Sequence, residues 1–242
     1  MRKTDTHIEV AGARLAGQIF EPQTGWPGVL FVHGWGGSQK RDEKRSRAIS
    51  RLGCICLTFD MRGHGAMDID KTKVSRADNL ADICAAYDVL ASHPAVDTTS
   101  IAVIASSYGA YLSTFLATSR RVRWLALRVP ALYRDEDWDT PKVSLDRREL
   151  QKYRSRQVAR DANRALRHCQ DFSGDVLVVE SENDHLVPHP TIASYLAAFS
   201  NACSITHRII KGADHGLSDA ESRRSYDELL LRWVREMMLS AR

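Results

Sequence analysis

The sequence runs to 242 residues, 43% hydrophobic and 26% charged, a size and balance that suit one α/β domain whose core needs neither disulfides nor metals. Its 34 Lys and Arg against 30 Asp and Glu leave a formal charge of +4, and the densest basic stretches, residues 40–47 and 147–167, are interleaved with acids; this excludes the concentrated basic face of a nucleic-acid-binding protein. No apolar run approaches the roughly 18 residues of a membrane span, and the first ten residues lack the apolar segment of a secretory signal, so a cytoplasmic protein with no membrane or nucleic-acid partner is expected.

Residues 6–10 and 14–20 alternate apolar and polar around Ala11-Gly12-Ala13, the pattern of an opening β-hairpin. Residues 28–33 form a short run of β-formers. Gly34-Trp35-Gly36-Gly37 follows, and then a helix for which Ser38 is the expected cap. The alternation continues with a strand at 54–59, a loop at 60–65 and a helical stripe of Leu80, Ile83, Ala86, Tyr87 and Leu90 within 78–92. A strand at 100–105, a helix at 108–119 and strands at 124–129 and 176–179 come next. A helix at 191–199, a strand at 204–210 and an amphipathic helix at 226–239 complete the chain.

Near-continuous apolar strands separated by helices predict a mostly parallel, doubly wound α/β sheet of about eight strands with an N-terminal antiparallel hairpin. Only residues 130–165 break the pattern. A helical cap insertion in a single domain spanning 1–242 accounts for them better than a structureless loop of that length. Tyr133 and Trp138 in this segment are candidates for lining a substrate pocket. The five cysteines, Cys54, Cys56, Cys84, Cys169 and Cys203, match no redox or zinc spacing and read as small core residues in a reducing compartment.

Ala105-Ser106-Ser107-Tyr108-Gly109 lies between the strand at 100–105 and the helix after it. A serine on so tight a strand-to-helix turn needs small residues two before and two after it, here Ala105 and Gly109, and exposes its hydroxyl at the end of the sheet. Ser107 is the candidate nucleophile. Ser106 is the rival, but it would start the helix out of phase. After the strand at 176–179 come Glu180, Glu182 and Asp184. Asp184 lies furthest out on the turn, four residues before Val187-Pro188 open the next helix, and is the candidate acid.

After the strand at 204–210, His215 stands in a glycine-flanked loop, where a mobile imidazole can serve as general base. Asp214 is adjacent to it and poorly placed to orient it, and His207 reads as a core residue. Nucleophile, acid and base therefore fall at three strand ends in the order serine, aspartate, histidine. The N–H groups of Tyr108 and Trp35 are the candidate oxyanion donors. His33 is expected to pin the glycine turn. The pair His185 and His189 is interrupted by Pro188, and no H-E-x-x-H or phosphate-binding glycine motif occurs, so no metal or cofactor is expected.

With His33-Gly34-Trp35-Gly36-Gly37, Asp60-Met61-Arg62-Gly63-His64-Gly65, Ser106-Ser107-Tyr108-Gly109, Asp184 with Val187-Pro188, and Asp214-His215-Gly216, the chain resembles the α/β-hydrolases of the esterase, dienelactone-hydrolase and serine-aminopeptidase-like group. The resemblance spans nearly the whole chain and implies that Asp60 and Arg62 form a loop-stabilising pair. It also implies hydrolysis of a carboxylic ester through an acyl-enzyme, and the charge of the 130–165 insertion, which does not suit a lipid-interface lid, points to small, soluble short-acyl or aryl esters. Amide, peptide and thioester hydrolysis use the same machinery, and a non-catalytic binding protein on the same scaffold is the alternative of another class.

Overall fold

The structure is a computed structural model and describes residues 2–21, 27–65 and 69–240. Strands β1 (Arg2–Val10) and β2 (Ala13–Glu21) form the expected hairpin. Its turn residues Ala11 and Gly12 have φ of 45° and 75°, the left-handed backbone that matches the twist of a two-residue hairpin. The remaining strands are β3 (Pro27–Val32), β4 (Ile55–Phe59), β5 (Asp97–Ser106), β6 (Trp124–Arg128), β7 (Asp175–Ser181) and β8 (Ser204–Ile210). They make one eight-stranded sheet in the order β1-β2-β4-β3-β5-β6-β7-β8. All pairings beyond the hairpin and the β2–β4 contact are parallel.

Helices cover both faces. Strand residues alternate between them, as pleated geometry requires: Leu30 and Val32, Val103 and Ala105, and Leu125 and Leu127 point to one side. That side is covered by α2 (Arg76–Ala91), α3 (Ser107–Ser119), α5 (Arg164–Asp171) and α6 (His189–Ala198). Val29 and Phe31, Ala102 and Ile104, and Trp124 and Ala126 point to the other side, under α1 (Glu43–Ser50) and α7 (Ala220–Ser240). The short helix α4 (Arg147–Arg154) lies with α5 between β6 and β7, joined by single turns at Lys142–Ser144 and Arg160–Ala162. No helix among the described residues is long and apolar enough to cross a membrane.

Caps set several helix starts. Ser75 and Asp78 form a reciprocal capping box on α2, and Asp146 and Asn163 accept first-turn N–H groups of α4 and α5. Ser38 does not cap α1. It precedes a single 3-10 turn, Gln39–Arg41, without a side-chain cap, and α1 begins only after Asp42. The cysteine expectation also needs amending: all five are unpaired and Cys54, Cys56 and Cys169 are buried, but Cys203 is exposed on the loop before β8.

Asp60 and Arg62 stabilise the same loop without pairing. Asp60 accepts the Gln39 backbone N–H at 2.7 Å. Arg62 instead donates to Asp82 of α2, from its backbone N–H at 2.9 Å and from Nε at 2.7 Å. Asp60 is thus tied to the turn after β3, and Arg62 to α2.

Candidate active site

Parallel strands point their C-terminal ends the same way, and ligands gather there. In this sheet that edge carries the loops after β3, β5, β6, β7 and β8. Ser107 stands at the junction of β5 and α3 with φ of 52°, a left-handed value unusual for a residue with a side chain. The Ala131 N–H donates to the Ser107 carbonyl at 3.1 Å and ties the turn to the chain leaving β6. Val129 turns that chain with φ of 41°, and its N–H donates to the Val179 carbonyl at 2.7 Å.

The three residues expected to act together do meet. Ser107 Oγ lies 3.0 Å from His215 Nε2, and His215 Nδ1 lies 2.6 Å from Asp184 Oδ2. An ionised carboxylate only accepts, so Nδ1 carries the proton and Nε2 is left free to accept from the serine hydroxyl. Asp184 is held in turn by its other oxygen, which accepts the N–H groups of Leu186 and Val187, each at 2.8 Å. The loops that carry Asp184 and His215 are joined directly: Asn183 N–H donates to the Ala213 carbonyl at 2.8 Å, and Glu182 N–H to the Ile210 carbonyl at 3.1 Å.

The rival residues are engaged elsewhere. Glu182 accepts from Lys211 Nζ and Gly212 N–H. Glu180 is buried against His189 and His207, so His207 is a half-buried hydrogen-bond partner of Glu180 and not the core residue expected of it. Asp214 accepts the Ser218 N–H within its own loop. Ser106 precedes α3 in extended conformation and makes no capping bond.

His33 fixes the glycine turn beside Ser107. Its Nδ1–H donates to the Gly34 carbonyl at 2.8 Å while Nε2 accepts the Met61 N–H at 3.1 Å. Both bonds suit the neutral ring, and burial lowers its pKa accordingly. A Cβ on Gly34 would stand 3.3 Å from Ser107 Cβ, so this turn passes directly against the serine. The Trp35 N–H has no hydrogen-bond partner among the described residues, and the Tyr108 N–H belongs to the unsatisfied first turn of α3.

A cavity of about 550 Å³ opens at Ser107 and His215. Tyr133 and Trp138 do not line it. Tyr133 is 1% exposed, its ring 5.8 Å from that of Tyr108 and 4.9 Å from that of Tyr111, with the Arg154 guanidinium 4.7 Å over its face. Trp138 packs on Phe115 of α3, ring centroids 4.9 Å apart. Both side chains fasten the 130–165 segment to the α2/α3 face, whereas the cavity opens on the α1/α7 face between Trp35, Arg41, Asp42, Arg45, Arg128 and the 215–218 loop. The segment touches the site through Lys142, whose Nζ lies 4.4 Å over the Trp35 ring. Burial, with repulsion from Arg154, Arg147 and Arg76, lowers the pKa of Lys142 to about 8.

Sequence reasoning missed Arg128. A signal was present: it is the only charge in the run 124–129, in a strand otherwise expected to be buried. Among the described residues no group of three or more His, Cys, Asp or Glu side chains is placed to hold a metal ion.

A sequence model of the alpha/beta hydrolase family matches residues 29–225. The chain belongs to that family. An uncharacterized protein of Mycobacterium tuberculosis is 29% identical over 191 residues, which are 77% of this chain but only 63% of that protein's length. Among solved structures, the family fold recurs in Est1E of Butyrivibrio proteoclasticus, determined with ferulic acid bound, at a TM-score of 0.71 and 19% identity over 97% of this chain and 98% of the other. An acylaminoacyl peptidase of Pyrococcus horikoshii matches at 0.73 and 14% identity, over 96% of this chain and 41% of its own.

Proposed function

We propose that this protein is a serine hydrolase that cleaves carboxylic esters through an acyl-enzyme. The observation that carries the reading is the continuous hydrogen-bonded path from Ser107 Oγ through His215 to Asp184, ending on a serine held at positive φ. In the proposed reaction Ser107 attacks the acyl carbonyl while Nε2 of His215 takes its proton. Asp184 keeps the imidazole oriented and stabilises its cationic form. The Trp35 and Tyr108 N–H groups bind the oxyanion, a contribution of about 2.7–4 kcal/mol per donor in well-studied cases. His215 returns its proton to the leaving alcohol, then activates the water that releases the acid.

A cavity of about 550 Å³ has the capacity of a small-molecule site, which supports short-acyl or aryl esters over long-chain lipids. Ferulic acid bound to the similarly folded Est1E is consistent with an aryl acyl group. Five unpaired cysteines support a reducing compartment.

A fluorophosphonate probe and a series of 4-nitrophenyl esters from C2 to C12 test the reading. Wild-type protein is expected to be labelled and to lose kcat/KM as the acyl chain lengthens. Ser107→Ala is expected to lose labelling and about a thousandfold or more of kcat/KM. Equal labelling of wild type and Ser107→Ala removes the assignment, and a preference for C12 removes the substrate class.

A further inference from the structure

We infer that Arg128 is an anion anchor in the active-site cavity, and that the ester cleaved at Ser107 carries a carboxylate. The inference rests on the hydrolase reading above. It starts from a conflict in β6. Trp124, Ala126 and Arg128 share the face turned toward α1 and α7, and the first two are buried apolar residues. Arg128 pairs in the sheet with Ser106 on one side and Val179 on the other and is only 9% exposed. A guanidinium so placed has five N–H donors to satisfy and loses hydration worth several kcal/mol.

The described residues do not compensate it. Nη1 donates to the His215 carbonyl at 2.8 Å, and the guanidinium carbon lies 5.7 Å from the Tyr226 ring centroid. No described carboxylate is within ion-pair distance. Asp184 and Asp42 act on it only through space; Asp184 is occupied by His215 and two backbone N–H groups, and Asp42 by Arg45. Arg128 lines the cavity that holds Ser107 Oγ and His215, together with Arg41 and Arg223, while Arg45 there is paired with Asp42, the single lining acid, and with Asp227. A planar fork facing such a cavity matches a carboxylate through paired N–H···O bonds, and the surplus of positive lining favours anionic ligands before contact is made.

Burial of a cation also has a purely structural reading, since Arg128 holds the His215 loop. A substrate pair separates the two. Monomethyl glutarate and methyl 5-methylhexanoate differ only in carrying a carboxylate or an isopropyl group at the far end of the acyl chain. 4-Acetoxybutyrate and 4-methylpentyl acetate differ likewise on the alcohol side. Wild-type protein is expected to favour the anionic member of at least one pair. In Arg128→Gln the anionic-to-neutral ratio of kcat/KM is expected to fall about tenfold or more, with Arg128→Lys between the two. A loop-holding role lowers both members alike and leaves the ratio unchanged.

No anionic preference in either pair, or a preference that Arg128→Gln retains, overturns the inference while leaving ester hydrolysis standing. If neither pair is turned over and the fluorophosphonate probe fails to label, the hydrolase reading falls. Calorimetric titration of monomethyl glutarate into wild type and Arg128→Gln then decides the anchor: Arg128-dependent binding upholds it, and its absence overturns it.

Discussion

A Cβ at position 109 would lie 2.4 Å from the His33 carbonyl oxygen and 2.9 Å from that of Val32. Both obstacles are backbone atoms of β3 or the turn that follows it, so neither can swing aside. The second small position of the Ser107 turn is therefore a close approach between α3 and β3, and glycine is required by space, not by its own φ. Gly109→Ala is expected to push α3 outward, destabilise the fold by about 1–3 kcal/mol and slow fluorophosphonate labelling of Ser107. Urea unfolding together with the labelling rate checks both effects. Ala105, at the first small position, is buried in the α2/α3-side core. The two positions were legible in the sequence because the demand for small side chains is local. The burial of Tyr133 was not, because an aromatic among charges looks alike whether it faces solvent, a cavity or a neighbouring helix.

At the scale of elements, α2 is coupled to the Ser107 turn by a buried polar path. Tyr108 Oη donates to Asn79 Oδ1 at 3.0 Å, and Asn79 Nδ2 donates to the Arg62 carbonyl at 3.1 Å. The Arg62 side chain pairs with Asp82, whose side chain is fully buried. Removing Asp82 leaves the buried Arg62 guanidinium with only the partly exposed Asp78, 3.4 Å away, and strips the Arg62 N–H of its acceptor. Asp82→Leu is expected to cost about 3–5 kcal/mol, and Arg62→Met combined with Asp82→Leu to recover most of it. Chemical denaturation of the three proteins tests this; equal losses for single and double variants would show that the path is not a coupled unit. The sequence motif of Asp60 and Arg62 announced a structural loop but not its partners, since Gln39 and Asp82 are brought to it only by the packing of other elements.

Across the whole molecule, acid stability should report two histidines folded in their neutral form. Burial lowers the pKa of His33, and that of His64 to about 4. A base whose folded pKa is depressed binds fewer protons than the unfolded chain between the two values. Unfolding is then favoured as pH falls through that window, here from 6.5 toward 4 for His64. At pH 4.5 the protonation of His64 should cost about 2–3 kcal/mol. Urea midpoints measured at pH 7 and pH 4.5 are expected to fall further apart in wild type than in His64→Leu, which no longer titrates there.

What the sequence determined by itself is the succession of strands and helices and the three strand ends that carry serine, aspartate and histidine. These depend on local periodicity and turn chemistry, which neighbouring residues specify. Tertiary structure decided the rest. Sheet order set which strands flank β5, so Arg128 came to lie beside Ser106 and not on an outer strand. The pleat then turned Arg128 and Ser106 toward α1 and α7, and packing drew Tyr133 and Trp138 to the opposite face. Which side of a strand faces a cavity is fixed by what covers each face, and that depends on residues far apart in the chain.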